Sequence, residues 1–114
     1  MTDFSIGIVG LDQMGGALSE RFEQRELGHI VTDINSQNLQ IHLAESGVAP
    51  AATPSDIGQM CDLVFVTEIA DSTFRESVIG PTGLVHGVSA GTIIVDMSEA
   101  NPSTGIELAG RLAS

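Results

Sequence analysis

"IVGLDQMGG", residues 8–16, is where the chain declares its architecture. It follows the run "FSIGIVG" (residues 4–10), which is apolar throughout and ends in glycine, as a parallel strand covered on both faces does. It precedes "QMGGALSERFEQREL" (13–27), which has helical spacing. A strand that turns at once into a helix needs glycine where the backbone is crowded, and Gly10 and Gly15 stand at the first and last positions of a Gly-x-Gly-x-x-Gly pattern. The middle position holds Asp12 instead. In that pattern the middle glycine is where a diphosphate comes closest to the backbone.

Working outward, strand and helix alternate. "HIVTD" (29–33) reads as a second strand, "SQNLQIHLAES" (36–46) as a helix with Leu39, His42 and Leu43 on one face, and "VAPAATPSDIGQM" (48–60) as a short strand and a brief helix capped by Thr53 or Ser55. "DLVFVTEI" (62–69) and "TIIVDMS" (92–98) read as strands, "DSTFRESVIG" (71–80) as a helix, and "PTGLVHGVSAG" (81–91) as turns with one helical turn. Asn101 as cap and Pro102 at the first helical position open a final helix to 113. Gly28 and Gly47 read as helix stops. In the first helix Met14, Ala17, Leu18, Phe22 and Arg25 are expected on one face. The alternation predicts an α/β domain, an open, doubly wound parallel sheet with right-handed crossovers, over residues 1–114.

Composition narrows the function. Fifteen acids against four bases give a formal charge of -11, and all four bases are arginine. Such a surface repels nucleic acid and anionic lipid, so neither is expected as a partner. No apolar run reaches the ~18 residues of a membrane span, and "MTDFSIGIVG" lacks the basic start of a secretory signal. The single cysteine, Cys61, is expected to be a small buried residue in a reducing, cytoplasmic setting. His29, His42 and His86 have no metal-ligand spacing, and Ser19 and Ser46 lack the context of a nucleophile, so no metal or catalytic residue is assigned.

Asp33 closes the second strand, eighteen residues past Gly15, where a carboxylate meets the ribose of a dinucleotide. An acid there favours NAD, because it would repel the 2′-phosphate of NADP. Asp12 has the opposite sign for binding. At ~4 Å and an effective dielectric near 20, one like-charge pair costs roughly 4 kcal/mol before water and salt reduce it. Asp12 also occupies the helix-cap position, so its carboxylate is expected to accept the free N–H groups there and act as an internal stand-in for phosphate. The plainer alternative is a tolerated side chain that swings aside.

"IGIVGLDQMGGALSERF" resembles the opening of the β-hydroxyacid dehydrogenases, the group of 3-hydroxyisobutyrate dehydrogenase, tartronate semialdehyde reductase and 6-phosphogluconate dehydrogenase. "FRESVIGPTGLVHGVSAGTIIVDMS" resembles their helix, Gly-x-x-Gly-Leu turn and following strand. "DMSEANPST" is similar to their substrate motif, with Asp96, Ser98, Pro102 and Thr104 matching and Glu99 in place of threonine. The resemblance implies a Rossmann-like domain in which Gly10, Leu11, Asp12, Gln13, Met14 and Gly15 hold the diphosphate of NAD, with NADP as the alternative. It implies Asp33 on the ribose. "TEIAD" stands at the cofactor loop, giving Thr67, Glu68 and Ile69, with Ala70 in place of proline. Ser98 and Glu99 would lie between nicotinamide and substrate.

The family's catalytic lysine stands on a helical second domain that also builds the homodimer. These 114 residues hold no lysine and are expected to hold no such domain, and their end resembles a cut within something longer. The resemblance therefore implies the nucleotide half of an enzyme acting on a small hydroxy acid or semialdehyde, catalytically incomplete by itself. Two other readings stay open. In an imine-reductase-like relative a cationic substrate tolerates Glu99. A degenerate Rossmann domain would work through protein interaction.

Overall fold

The computed structural model describes residues 4–68, 71–97 and 102–113. Five parallel strands form one sheet in the order β3-β2-β1-β4-β5: β1 (Ile6–Val9), β2 (Ile30–Thr32), β3 (Ala49–Pro50), β4 (Leu63–Val66) and β5 (Ile93–Asp96). The crossovers carry α1 (Gln13–Gln24), α2 (Ser36–Glu45), α3 (Pro54–Met60) and α4 (Asp71–Ile79). A single 3₁₀ turn spans Leu84–His86, and α5 (Pro102–Ala113) follows β5. The doubly wound sheet expected from the alternation is the one observed.

Two cores sandwich the sheet because strand residues alternate sides. On one side Val9, Val64 and Val66 pack with Ile57 of α3, Phe74 and Val78 of α4, and Leu84. On the other, Ile8, Leu11 and Val31 receive Leu18 and Phe22 of α1 and Leu39 and Leu43 of α2. Phe65, the alternate residue of β4, meets the Phe22 ring edge-on at 5.8 Å. Gly7 keeps α3 close, since a Cβ there would lie 2.6 Å from Ile57 and 2.8 Å from Cys61. Cys61 is buried as expected, and burial, then the neighbouring Asp62, push its thiol up to about 11.

Several local expectations are corrected. Helix α1 ends at Gln24 rather than 27, because Glu26 turns into the left-handed region (φ 57°) and Leu27 N–H returns to the Phe22 carbonyl at 2.8 Å. Gly28 is therefore not the stop. After α2, Ser46 is already extended, so the helix is over before Gly47. Asn35 starts α2, accepting from Gln37 and Asn38 N–H. The buried stripe of α1 is Gly15 and Ser19, flanked by Leu18 and Phe22, while Met14, Ala17 and Arg25 are exposed. The two smallest side chains on that face are what let the helix lie against the sheet. Of the two proposed caps of α3, Thr53 is the one used, its Oγ1 accepting Asp56 N–H at 3.1 Å. Asn101, the expected cap of α5, lies outside the described residues.

Candidate functional site

The order 3-2-1-4-5 means the chain leaves β1 in one direction and later returns to pair β4 on its other side. The crevice at the carboxyl ends of β1 and β4 is thus the switch point where open α/β sheets take ligands. β1 ends there in Gly10, whose φ of 106° is open to glycine and strained for other residues. Gly10 N–H donates to the Thr32 carbonyl at 2.9 Å. A Cβ on Gly15 would be driven into the Gly10 carbonyl oxygen, so the first turn of α1 is pressed directly against the end of β1. Thr67, just past β4, locks the turn from the other side: its N–H donates to the Val9 carbonyl at 2.9 Å and its hydroxyl to the Gly10 carbonyl at 2.7 Å.

Three acids surround this turn. Asp33 is buried, with Oδ2 accepting Leu11 N–H at 2.7 Å and Oδ1 accepting Asn35 N–H at 2.8 Å. Asp12 stands at the cap position of α1 but makes no cap hydrogen bond. This corrects the expected role. Its Oδ1 accepts the Asn38 side-chain amide at 2.9 Å, and the same amide reaches Asp33 Oδ2 at 3.3 Å. An amide that satisfies two carboxylates at once outcompetes the backbone N–H groups, which remain open to an incoming anion. Glu68 is buried beside Gly10. Desolvation, then Asp33, then Asp12 push its carboxyl up to about 7.

The structure gathers Gly10, Leu11, Asp12, Gly15, Asp33, Thr67 and Glu68 around the switch point. Gln13 and Met14 begin α1 on its exposed side. Ile69, Ala70, Ser98 and Glu99 lie outside the described residues. Asn38, the bridge between two acids, was missed by sequence reasoning, which had no signal for it beyond its place one turn into α2. A second missed cluster lies below the crevice, where Ser19 Oγ is 2.6 Å from His29 Nε2 and 2.9 Å from His42 Nε2. His29 Nδ1 bonds the Leu27 carbonyl at 2.8 Å, so in the neutral ring Nδ1 carries the proton and Nε2 accepts from Ser19. Ser19 is fully buried, which removes it as a nucleophile for an outside substrate. No group of three His, Cys, Asp or Glu side chains that could hold a metal occurs among the described residues. Among them, too, no helix is long and apolar enough to cross a membrane.

A glycine turn from a central parallel strand into a helix, at the switch point and beside an acid ending the next strand, defines a dinucleotide-binding domain of the Rossmann type. The sequence profile described as the NAD binding domain of 6-phosphogluconate dehydrogenase matches residues 5–114, and the chain belongs to that family. The cytokine-like nuclear factor N-PAC of Danio rerio is 32% identical over 114 residues, covering 99% of this chain and 24% of that protein. The structure of 3-hydroxyisobutyrate dehydrogenase from Salmonella typhimurium superposes with a TM-score of 0.77 at 24% identity, over 97% of this chain and 38% of that one. A reductive aminase from Aspergillus terreus, in complex with NADPH, superposes with a TM-score of 0.74 at 23% identity, over 98% of this chain and 38% of that one. The chain thus spans about a quarter of that N-PAC relative. As an NAD-binding domain it has NAD(P) as its cofactor class.

Proposed function

We propose that residues 1–114 form the dinucleotide-holding part of a 3-hydroxyacid dehydrogenase-like oxidoreductase and do not complete the reaction alone. The observation that carries the reading is the Gly10–Gly15 approach at the switch point, where neither position tolerates a Cβ and the first turn of α1 is free of its own cap side chain. The residues fit the cofactor's shape. In this reading the backbone from Gly10 through Leu11, Asp12, Gln13 and Met14 to Gly15 holds the diphosphate, and Asp33 takes the adenosine ribose and tilts choice towards NAD. By the family resemblance Thr67, Glu68 and Ile69 would line the nicotinamide end, and Ser98 and Glu99 would stand towards the substrate. Bound nicotinamide supplies hydride transfer, and this chain's own residues orient it.

What is absent from the chain is a lysine to hold a proton beside the reacting oxygen, which the β-hydroxyacid dehydrogenases use. The substrate, a small hydroxy acid or semialdehyde, and the homodimer therefore belong to a larger assembly. The compartment proposed is the cytoplasm, which keeps a lone thiol reduced, although the N-PAC relatives are named nuclear factors. Calorimetric titration with NAD and NADP tests the reading, with weak binding and NAD ahead of NADP as the expected result. A preference for NADP overturns the assignment of Asp33. With 3-hydroxyisobutyrate, tartronate semialdehyde or a cyclic imine, no turnover is expected by nicotinamide absorbance. Turnover that follows the purified chain through a sizing column overturns the claim of incompleteness.

A second reading is favoured by the three acids around the turn: a Rossmann domain that has given up its cofactor and works through protein contacts. Failure of the domain to bind either dinucleotide at any pH supports it.

A further inference from the structure

Glu68 is 3% exposed at the end of β4. Thr73 on α4 hydrogen-bonds its carboxyl group, while the other oxygen, Oε1, is buried without a partner among the described residues. That orphan oxygen lies over the glycine turn itself, since a Cβ on Gly10 would meet it at 2.5 Å. The charged groups acting on it are Asp33 at the end of β2, Asp12 at the head of α1 and Glu76 on α4, all of them acids. A buried carboxyl facing three acids is held as the neutral acid well above the ordinary carboxylate range. In that form it has one O–H to donate, and as a carboxylate it has none.

We propose that Glu68 is a specificity-determining residue of the cleft: as the neutral acid it donates a hydrogen bond to a diphosphate ligand over Gly10, and as the carboxylate it expels one. The inference rests on the dinucleotide reading above and adds a proton to it. The orphan oxygen gains a partner only when a ligand arrives, and a ligand that carries acceptors and no donors, as a diphosphate does, requires the proton on the protein side. A carboxyl at this position thereby couples ligand uptake to proton uptake, and a ligand offering its own donors would be taken by the ionised form instead.

The test is calorimetric titration of NAD into the parent and Glu68→Gln across the neutral range. NAD keeps its charge throughout, whereas the 2′-phosphate of NADP does not. If only the protonated form binds, the apparent Kd weakens about 30-fold between about pH 6 and about pH 8.5 for a group titrating near 7. Glu68→Gln keeps a donor and cannot ionise, so its profile is expected to be flat. Every other titratable group, His29, His42 and His86 included, is present in both proteins, so the difference in slope belongs to Glu68. Titrating the parent alone in two buffers of different ionisation heat gives a second measurement, with close to one proton taken up per NAD above about pH 8. Equal slopes in the two proteins, or no proton uptake, overturn the inference and leave the dinucleotide reading standing. Absence of NAD binding by both proteins at every pH overturns the two together.

Discussion

At the scale of single residues, Glu68 makes the fold's stability depend on pH. Its folded pKa of about 7 lies above the ordinary 4.5, so the native state holds the proton more tightly than the unfolded chain does. The stability this represents is fully present below about 4.5 and is lost as pH rises through 7, on the order of 3 kcal/mol across that interval. Glu68→Gln is therefore expected to melt above the parent near pH 8 and to lose that advantage in acid. A parallel shift at both ends of the range refutes the assignment. Asp12 gives a different expectation. Because it caps nothing, Asp12→Gly forfeits its bond to Asn38 while relieving its repulsion of Glu68, and the change in stability stays within about 1 kcal/mol. NAD is expected to bind Asp12→Gly more tightly, with the gain shrinking as salt is added, since a Coulomb penalty is screened and a steric one is not. Should the variant bind NAD no better than the parent, charge at residue 12 is not what a diphosphate meets.

At the scale of elements, the strands and helices were legible because each carries its own period and its own punctuation. The continuous apolar runs ending at Gly10 and Val66 place two buried strands, and Thr53 before Pro54 starts a helix by local chemistry alone. Other features are decided by partners far along the chain. The direction of the Asp12 side chain is set by Asn38, 26 residues away, and the burial of Glu68 follows from β4 lying against β1. Ser19, which in the sequence only lacks the context of a nucleophile, joins α1 to His29 before β2 and to His42 in α2. Removing its hydroxyl strands the acceptor on His29 and the donor on His42 together. Ser19→Ala is expected to cost about 1–3 kcal/mol, read as a lower urea midpoint at unchanged slope. A cost indistinguishable from zero would mean that water replaces the hydroxyl and that the helices are held by Leu18, Phe22, Leu39 and Leu43 alone.

At the scale of the whole molecule, one field acts on every element. Four arginines face fifteen acids, for a formal charge of -11. Two of the four are spent on one acid: Arg75 of α4 grips Glu107 of α5 with both terminal nitrogens, at 2.6 and 2.9 Å, and Arg111 approaches it at 3.5 Å. These groups are exposed, so the bridge aligns two helices more than it stabilises them. Self-repulsion among the remaining acids opposes the compact state over distances set by the Debye length, ~10 Å at 0.1 M salt and ~30 Å at 0.01 M. Raising NaCl from about 10 mM to about 500 mM is therefore expected to raise the melting temperature at neutral pH, and to do so less in acid, where protonation of carboxylates reduces the net charge. Inorganic phosphate or sulfate at matched ionic strength separates two effects. A gain equal to that of NaCl is screening alone. A larger gain is ligand linkage at the open first turn of α1, and Asp12→Gly should enlarge it by removing the nearest competing anion. Melting that is independent of NaCl would show that the acids are too well hydrated for their mutual repulsion to reach the fold.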